Sequence, residues 1–356
     1  MGQAPAASAR RDLAGEYFDQ LSARFELAAE GRPLTDGLEI GDLRLDLNFA
    51  GEAMREALLA PFEHLAAPDG APAELSISVF DAASSGVEAP PPAWEAVEAA
   101  PGTNPAMRLR SERACVLAAT GTGAITAADP GRGRAIFHLP DAARIPPIER
   151  AAPLREALQL LMAPHGRWMT HAGAVGRGGR GVLLVGRGGS GKSTLALSCA
   201  LAGMEIVADD YVLLETGPPR VHAMQSTAKL TEDSAERLGL GDDAIDPAGF
   251  EPTLEGPAKA LVDIRTLAPG RIRPQLGIAA ILAPRVAAEP ALEPVSAGEG
   301  LRALAPSTII QSGFHGAAAL AALGELVRQV PSYRLSLSPD PAANAQAVDE
   351  LVSELG

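Results

Sequence analysis

Residues 182–194 read VLLVGRGGSGKST. Gly186, Gly191, Lys192 and Ser193 fall at the spacing G-x-x-x-x-G-K-[ST], which suits the handling of a polyphosphate. The glycines let backbone N–H groups turn inward and approach phosphate oxygens with no Cβ in the way. A helix opening at Lys192 points its positive end at the same anion. Lys192 then reaches the β- and γ-phosphates, and Ser193 offers its hydroxyl to Mg2+. The nucleotide-binding set read from this stretch is Gly186, Arg187, Gly188, Gly189, Ser190, Gly191, Lys192, Ser193 and Thr194.

The stretch EIVADDYVLL, 205–214, carries two adjacent acids, Asp209 and Asp210, at the end of a short apolar strand. Asp209 follows Lys192 by seventeen residues, an interval that holds one helix. The spacing predicts that the aspartate strand lies beside the glycine-rich turn, its carboxyl end toward the same ligand. Two carboxylates there have two natural tasks. One holds Mg2+, directly or through water, and the other takes a proton from an incoming hydroxyl. The plainer alternative is a solvated turn between two strands.

These residues need a scaffold, and the surrounding pattern supplies one. THAGAV and GVLLV flank GRGGR, a hairpin signal ahead of the turn. A helix over 192–202 stops at Gly203. EIVADD, YVLLE, LGIAAILAP and YRLSLS read as strands, and ANAQAVDELVSEL as a closing amphipathic helix. The first half has another texture. Helical spacing covers 13–30 and GEAMREALLAPFEHLAA, and alternation marks strands in DLRLDLNF and ELSISVFD. Further strands fall at 114–119 and 134–139, and SSGVEAPPPAWEAVEAAPG reads as a proline-rich loop. A helix near 154–164 follows the junction DAARIPPIERAAP. The fold class is therefore α/β in the C-terminal half, 151–356, preceded by a smaller α+β N-terminal domain, 1–150, without a visible catalytic motif.

The chain has 356 residues, of which 47% are hydrophobic, and a formal charge of −14. That excess of acid argues against nucleic acid as a partner, which needs a cationic face. No apolar run reaches eighteen residues, so no membrane span is expected. MGQAPAASARRD lacks the apolar stretch of a secretory signal and reads as a frayed tail. Cys115 and Cys199 lie in apolar segments far apart and read as free buried thiols of a cytoplasmic protein.

Only three of the 30 basic residues are lysine: Lys192, Lys229 and Lys259. A lysine kept against such an arginine bias points to a role. Lys229, in STAKL, would reach a phosphate or an acidic substrate group, and Lys259, in GPAKALVDI, is a second substrate-side candidate. Arg285 and the pair Ser307–Thr308 are assigned to the rim, although APSTII also reads as a helix stop. His64, His138, His165, His222 and His315 show no metal-ligand spacing. Trp94 and Trp168 read as packing residues.

The run from Thr170 to Leu214 resembles the catalytic core of HPr kinase/phosphorylase and the wider group of related bacterial kinases. In that family a histidine precedes the phosphate loop on a strand, and a two-aspartate strand follows after one helix. His171, Gly186 to Thr194, and Asp209 with Asp210 match those features. Weaker resemblance continues through STAKL, LAPSTIIQSGF and VPSYRLSL. The resemblance implies a P-loop core of HPr kinase and phosphoenolpyruvate carboxykinase type. It also implies ATP, Mg2+ and phosphorylation of a hydroxyl, most familiarly a serine on a protein. By the same resemblance Asp209 is the general base, Asp210 the metal-side carboxylate, and His171 positions charge near the γ-phosphate. A strand histidine satisfied by a backbone group is the alternative for His171. The chain departs from the HPr enzymes at Thr194, where they usually carry an acidic residue, and in its N-terminal half.

Two functions from different classes compete. One is an ATP- and Mg2+-dependent kinase acting on a hydroxyl of a protein, a peptide or a small molecule. The other is a nucleotide-binding module in which ATP acts as a switch with little chemistry. Assembly into a homo-oligomer is compatible with both.

Overall fold

Alternation of Leu45, Leu47 and Phe49 gives one strand a fully buried face, and Leu75, Ile77 and Val79 do the same for a second. The computed structural model describes residues 12–356 apart from 69, 71, 92–105, 120, 254–255, 288–289 and 312–314. The segment before Asp12, Trp94 and much of the proline-rich stretch therefore lie outside the described residues.

Helix α1 (Leu13–Ala28) leads into β1 (Leu34–Ile40), β2 (Leu43–Phe49), α2 (Glu52–Leu58), β3 (Leu75–Asp81) and α3 (Ala82–Ser85). β4 (Ala106–Arg110), β5 (Cys115–Ala119), β6 (Ile125–Asp129) and β7 (Arg134–Leu139) follow. They form a mixed sheet in the order β1-β2-β3-β7-β6-β5-β4, with β2, β3 and β7 parallel and the remaining pairs antiparallel. Residues 51–67 are not one helix. Pro61 has no N–H to continue the ladder, so α2 stops at Leu58 and a 3-10 turn covers Ala60–Leu65.

Helices α4 (Pro147–Ala151) and α5 (Arg155–Met162) join this sheet to a second one. There β8 (Trp168–His171) is followed by the hairpin of β9 (Gly173–Arg177) and β10 (Arg180–Leu184). Next come α6 (Lys192–Leu201), β11 (Glu205–Ala208), β12 (Tyr211–Thr216), β13 (Pro219–Ala223), β14 (Thr227–Leu230), α7 (Glu232–Arg237), β15 (Ala260–Asp263) and α8 (Ile264–Leu267). The chain closes with β16 (Gln275–Val286), β17 (Ala291–Val295), α9 (Ala297–Gln311), α10 (Gly316–Gln329), β18 (Ser332–Leu337) and α11 (Pro341–Leu355). The second sheet runs β11-β9-β10-β16-β13-β12-β8, with β18 on the far half of β16 and β17 on β18. β14 and β15 form a separate ribbon.

Consecutive strands β11 and β12 stand near opposite ends of that order, and so do β8 and β9. Only Asp209 and Asp210 separate the first pair, and only Ala172 the second. At about 3.8 Å per residue, the two ends of the sheet come within about 11 Å of each other, so the sheet curls on itself. Gly173 makes room where the links cross: a Cβ there would lie 2.9 Å from the Asp209 carbonyl oxygen. The aspartate strand does not lie directly beside β10, because β9 separates them. Both β11 and β10 are antiparallel to β9, so their carboxyl ends still open on the same side.

One hydrophobic cluster spans both sheets. It joins Ile77 and Phe137 to Leu158 and Leu161 of α5, then to Leu213, Leu304 and Leu323. On the outer face of the first sheet, α1 packs through Phe18, Leu21 and Phe25. α6 and α11 cover the second sheet's outer face through Leu195, Val348 and Leu351. Each buried Leu or Phe contributes about 1.5–3 kcal/mol. Cys115 and Cys199 are both free and buried. Among the described residues, no helix is long and apolar enough to cross a membrane.

Candidate active site

β10 is held at its end by the Val185 N–H, which donates to Leu282 O of β16 (2.9 Å). The chain then turns through glycines into α6. Gly191 stands at φ +93°, and a Cβ on it would run into Leu337 Cδ1, so this position needs glycine on two counts. Gly191 is also the N-cap of α6 and supplies no side-chain oxygen. The first N–H groups of α6 are left for a ligand on the loop side.

Lys192, 6% exposed, folds its ammonium back onto the loop, where Nζ donates to Gly186 O (2.6 Å) and Arg187 O (3.2 Å). Burial pushes the Lys192 ammonium down, while Asp210 and Asp209 pull the other way. Ser193 lies near Asp209 and favours its ionised form against the burial. Thr194 turns aside: its Oγ1 donates to Ser234 Oγ of α7 (2.9 Å).

The two acids differ sharply in surroundings. Asp209 is 1% exposed; its Oδ2 accepts from the Lys229 N–H (3.2 Å), and its Oδ1 is buried with no hydrogen-bond partner. Burial, with the neighbouring Asp210 charge, pushes its carboxyl up to about 6. Asp210 has a partner on each oxygen, His171 Nε2 at 2.6 Å from Oδ1 and Lys229 Nζ at 2.5 Å from Oδ2. Burial opposes its ionisation, yet the Lys229 ammonium and His171 hold it well below the usual carboxylate range.

A cavity of about 820 Å3 opens against these groups, walled by His171, residues Gly188 to Thr194, Asp210, Lys229 and Lys259. Asp209 lies behind this wall rather than on it. Among the described residues no group of three or more His, Cys, Asp or Glu has metal-ligating geometry. The donors present are the Ser193 hydroxyl and two carboxylates. These hard oxygens suit Mg2+, which keeps waters and phosphate oxygens for its remaining positions. The unpartnered Asp209 Oδ1 is the kind of atom a bound cation would satisfy.

The residues singled out in the sequence separate into two groups. His171, the loop from Gly188 to Thr194, Asp210, Lys229 and Lys259 meet at one cavity. The His171 side chain faces a carboxylate rather than a backbone group, and the His171 backbone N–H donates to Thr308 Oγ1 (3.2 Å). Arg187 is exposed and contributes its carbonyl, not its side chain. Arg285 lies off the cavity wall and donates from Nε to Ser336 Oγ (3.2 Å). The APSTII stretch is not a helix stop, because α9 runs through it with Pro306 inside. Trp168 packs against His315, ring centroids 6.3 Å apart.

Sequence reasoning missed Tyr211 and Arg155. The buried Tyr211 ring lies 5.4 Å from the His171 ring and 5.5 Å from Lys229 Nζ. The Arg155 guanidinium lies over the ring, 5.4 Å from its centroid, and its Nη1 donates to the Tyr211 hydroxyl (3.3 Å). The position of Tyr211 directly after the acids was an available signal; Arg155, 56 residues away, carried none.

No family model matches the chain, and no curated protein matches it either. Among solved structures, the HPr(Ser) kinase/phosphatase from Coxiella burnetii is similar to 52% of this chain over 94% of its own, at 12% identity and a TM-score of 0.29. A likeness at that level leaves the functional reading to rest on the geometry of the site.

Proposed function

We propose that the chain is an ATP- and Mg2+-dependent kinase that transfers the γ-phosphoryl group to a hydroxyl acceptor. One observation carries the reading. Asp209 keeps a buried oxygen with no hydrogen-bond partner, behind a cavity walled by the glycine-rich loop, Ser193 and Asp210. The loop N–H groups and Lys192 would hold the phosphates. Bound Mg2+ would supply charge neutralisation at the transferring phosphoryl group.

The geometry favours a division of labour opposite to the one the family resemblance implies. Asp209, beside Ser193 and with a free oxygen, is suited to the cation. A cation there would also relieve the burial that raises its carboxyl to about 6. Asp210 reaches the cavity and is ionised, so it is suited to accept the acceptor's proton, with His171 fixing its orientation. Reach is weighed before basicity, since a proton must be within hydrogen-bond distance to be taken.

The test is incubation of the purified protein with γ-labelled ATP, Mg2+ and fractionated cell extract. A new labelled species should form and should be absent with Asp210→Asn, while that variant binds nucleotide within a few-fold of wild type. Asp209→Asn should raise the Mg2+ requirement. A nucleotide-gated module would form no labelled species with any fraction, and that result would sink the kinase reading.

A further inference from the structure

We infer that the acceptor is a small molecule carrying its own anionic group, a carboxylate or a phosphate, which Lys259 holds opposite the nucleotide. This rests on the kinase reading and names its substrate class.

All three lysines of the chain wall one cavity. Among the described residues Arg237 is the one arginine on the same wall, and it is tied to Asp233 at 2.9 Å. An arginine offers a flat, five-donor fork and a lysine a compact point charge. A chain that otherwise uses arginine keeps the point charge at this cavity alone.

The three ammoniums have different company. Lys192 is folded into the loop carbonyls, where a nucleotide's phosphates would meet it. Lys229 is matched by Asp210. Lys259 has no carboxylate partner among the described residues, and it lies close enough to Lys192 to oppose its ionisation. The strand pattern presents it there. Ala228, Leu230 and Val262 of the ribbon face the core, so the alternate positions, Lys229 and Leu261, face outward. Lys259 is two residues from Leu261 and shares the Lys229 face.

Three like charges at one cavity call for anions to match them. The nucleotide accounts for Lys192 and Asp210 for Lys229. A neutral hydroxyl compound would leave Lys259 without a counter-charge among the described residues, whereas an acceptor with an anionic group supplies one. The volume of about 820 Å3 falls within the range of small-molecule sites, about 300–1,000 Å3. In the transfer step the acceptor hydroxyl oxygen forms a bond to the γ-phosphorus and the γ-phosphorus–bridging-oxygen bond breaks. ADP leaves with that electron pair, and the hydroxyl proton passes to Asp210.

The test is calorimetric titration of inorganic phosphate, and separately of malonate, into the full chain saturated with Mg2+ and AMP-PNP. At least one probe should bind saturably, and which one does decides between a phosphate and a carboxylate. Lys259→Ala should weaken that binding by about tenfold, one decade in Kd, with Lys259→Arg intermediate. AMP-PNP affinity should stay within about twofold, and thermal melting of Lys259→Gln verifies the fold. The inference is overturned if neither probe binds, or if Lys259→Ala weakens AMP-PNP as much as the probe. If wild type does not bind AMP-PNP at all, the kinase reading fails first and this inference with it.

Discussion

Lys229 Nζ and Asp210 Oδ2 are 2.5 Å apart, with side chains 24% and 12% exposed. Removing one partner strands the other charge out of water. Lys229→Ala should therefore destabilise the protein by about 3 kcal/mol, whereas the double variant with Asp210→Asn should recover most of that loss. Urea denaturation of the four members of the cycle gives the coupling. Additive losses would mean that the pair is not energetically linked.

Asp209 supplies a pH signature. Its carboxyl is raised to about 6 in the folded chain from its ordinary value of 3.8, so folding favours its protonated form. The cost of ionising it is absent below about pH 4, grows toward pH 6 and is complete above. Asp209→Asn should therefore stabilise the nucleotide-free protein by up to about 3 kcal/mol at pH 8 and by much less at pH 4.5. Urea midpoints at the two pH values measure the difference. Saturating Mg2+ and AMP-PNP should erase the advantage.

The loop makes a steric prediction. Gly191→Ala adds a methyl group against Leu337 at a left-handed backbone position. It should cost about 1–3 kcal/mol and reduce AMP-PNP affinity at least tenfold. Leu337→Ala in the same chain removes the clash but not the backbone cost, so it should restore part of the stability.

His138, 3% exposed and packed at a tilt against Phe80 with ring centroids 4.7 Å apart, gives the opposite pH slope to Asp209. Burial pushes it down from 6.5 to about 4, so folding favours the neutral ring. That stability is intact above pH 6.5 and is lost as the pH falls toward 4. His138→Phe should flatten the acid limb by up to about 3 kcal/mol, read as urea midpoints between pH 7 and pH 4.

The parts legible in the sequence were those with local grammar. The loop, the β9–β10 hairpin and the acid pair announce themselves through glycine spacing and alternation, and the three lysines through their rarity. Other elements were hidden because their local signals point elsewhere. β1 contains Asp36 and Gly37, which read as a turn, and β6 is rich in small residues that favour no element strongly. β14 and β15 are four residues each and are separated by about thirty residues that include α7, so nothing local pairs them. Tyr211 and Arg155 meet only because the second sheet curls back toward α5. The place of β9 between β11 and β10 was invisible for the same reason: strand order is a property of the closed sheet, not of any window along the chain.

The packing of Leu158 and Leu161 between the two sheets sets a limit on how this protein can be dissected. Cutting the chain near residue 150 would leave those leucines, with Leu213 and its neighbours, as a bare greasy wall. The severed C-terminal half would clump in solution or cling to detergent. Its silence in an assay would then report a lost neighbour, not a lost chemistry.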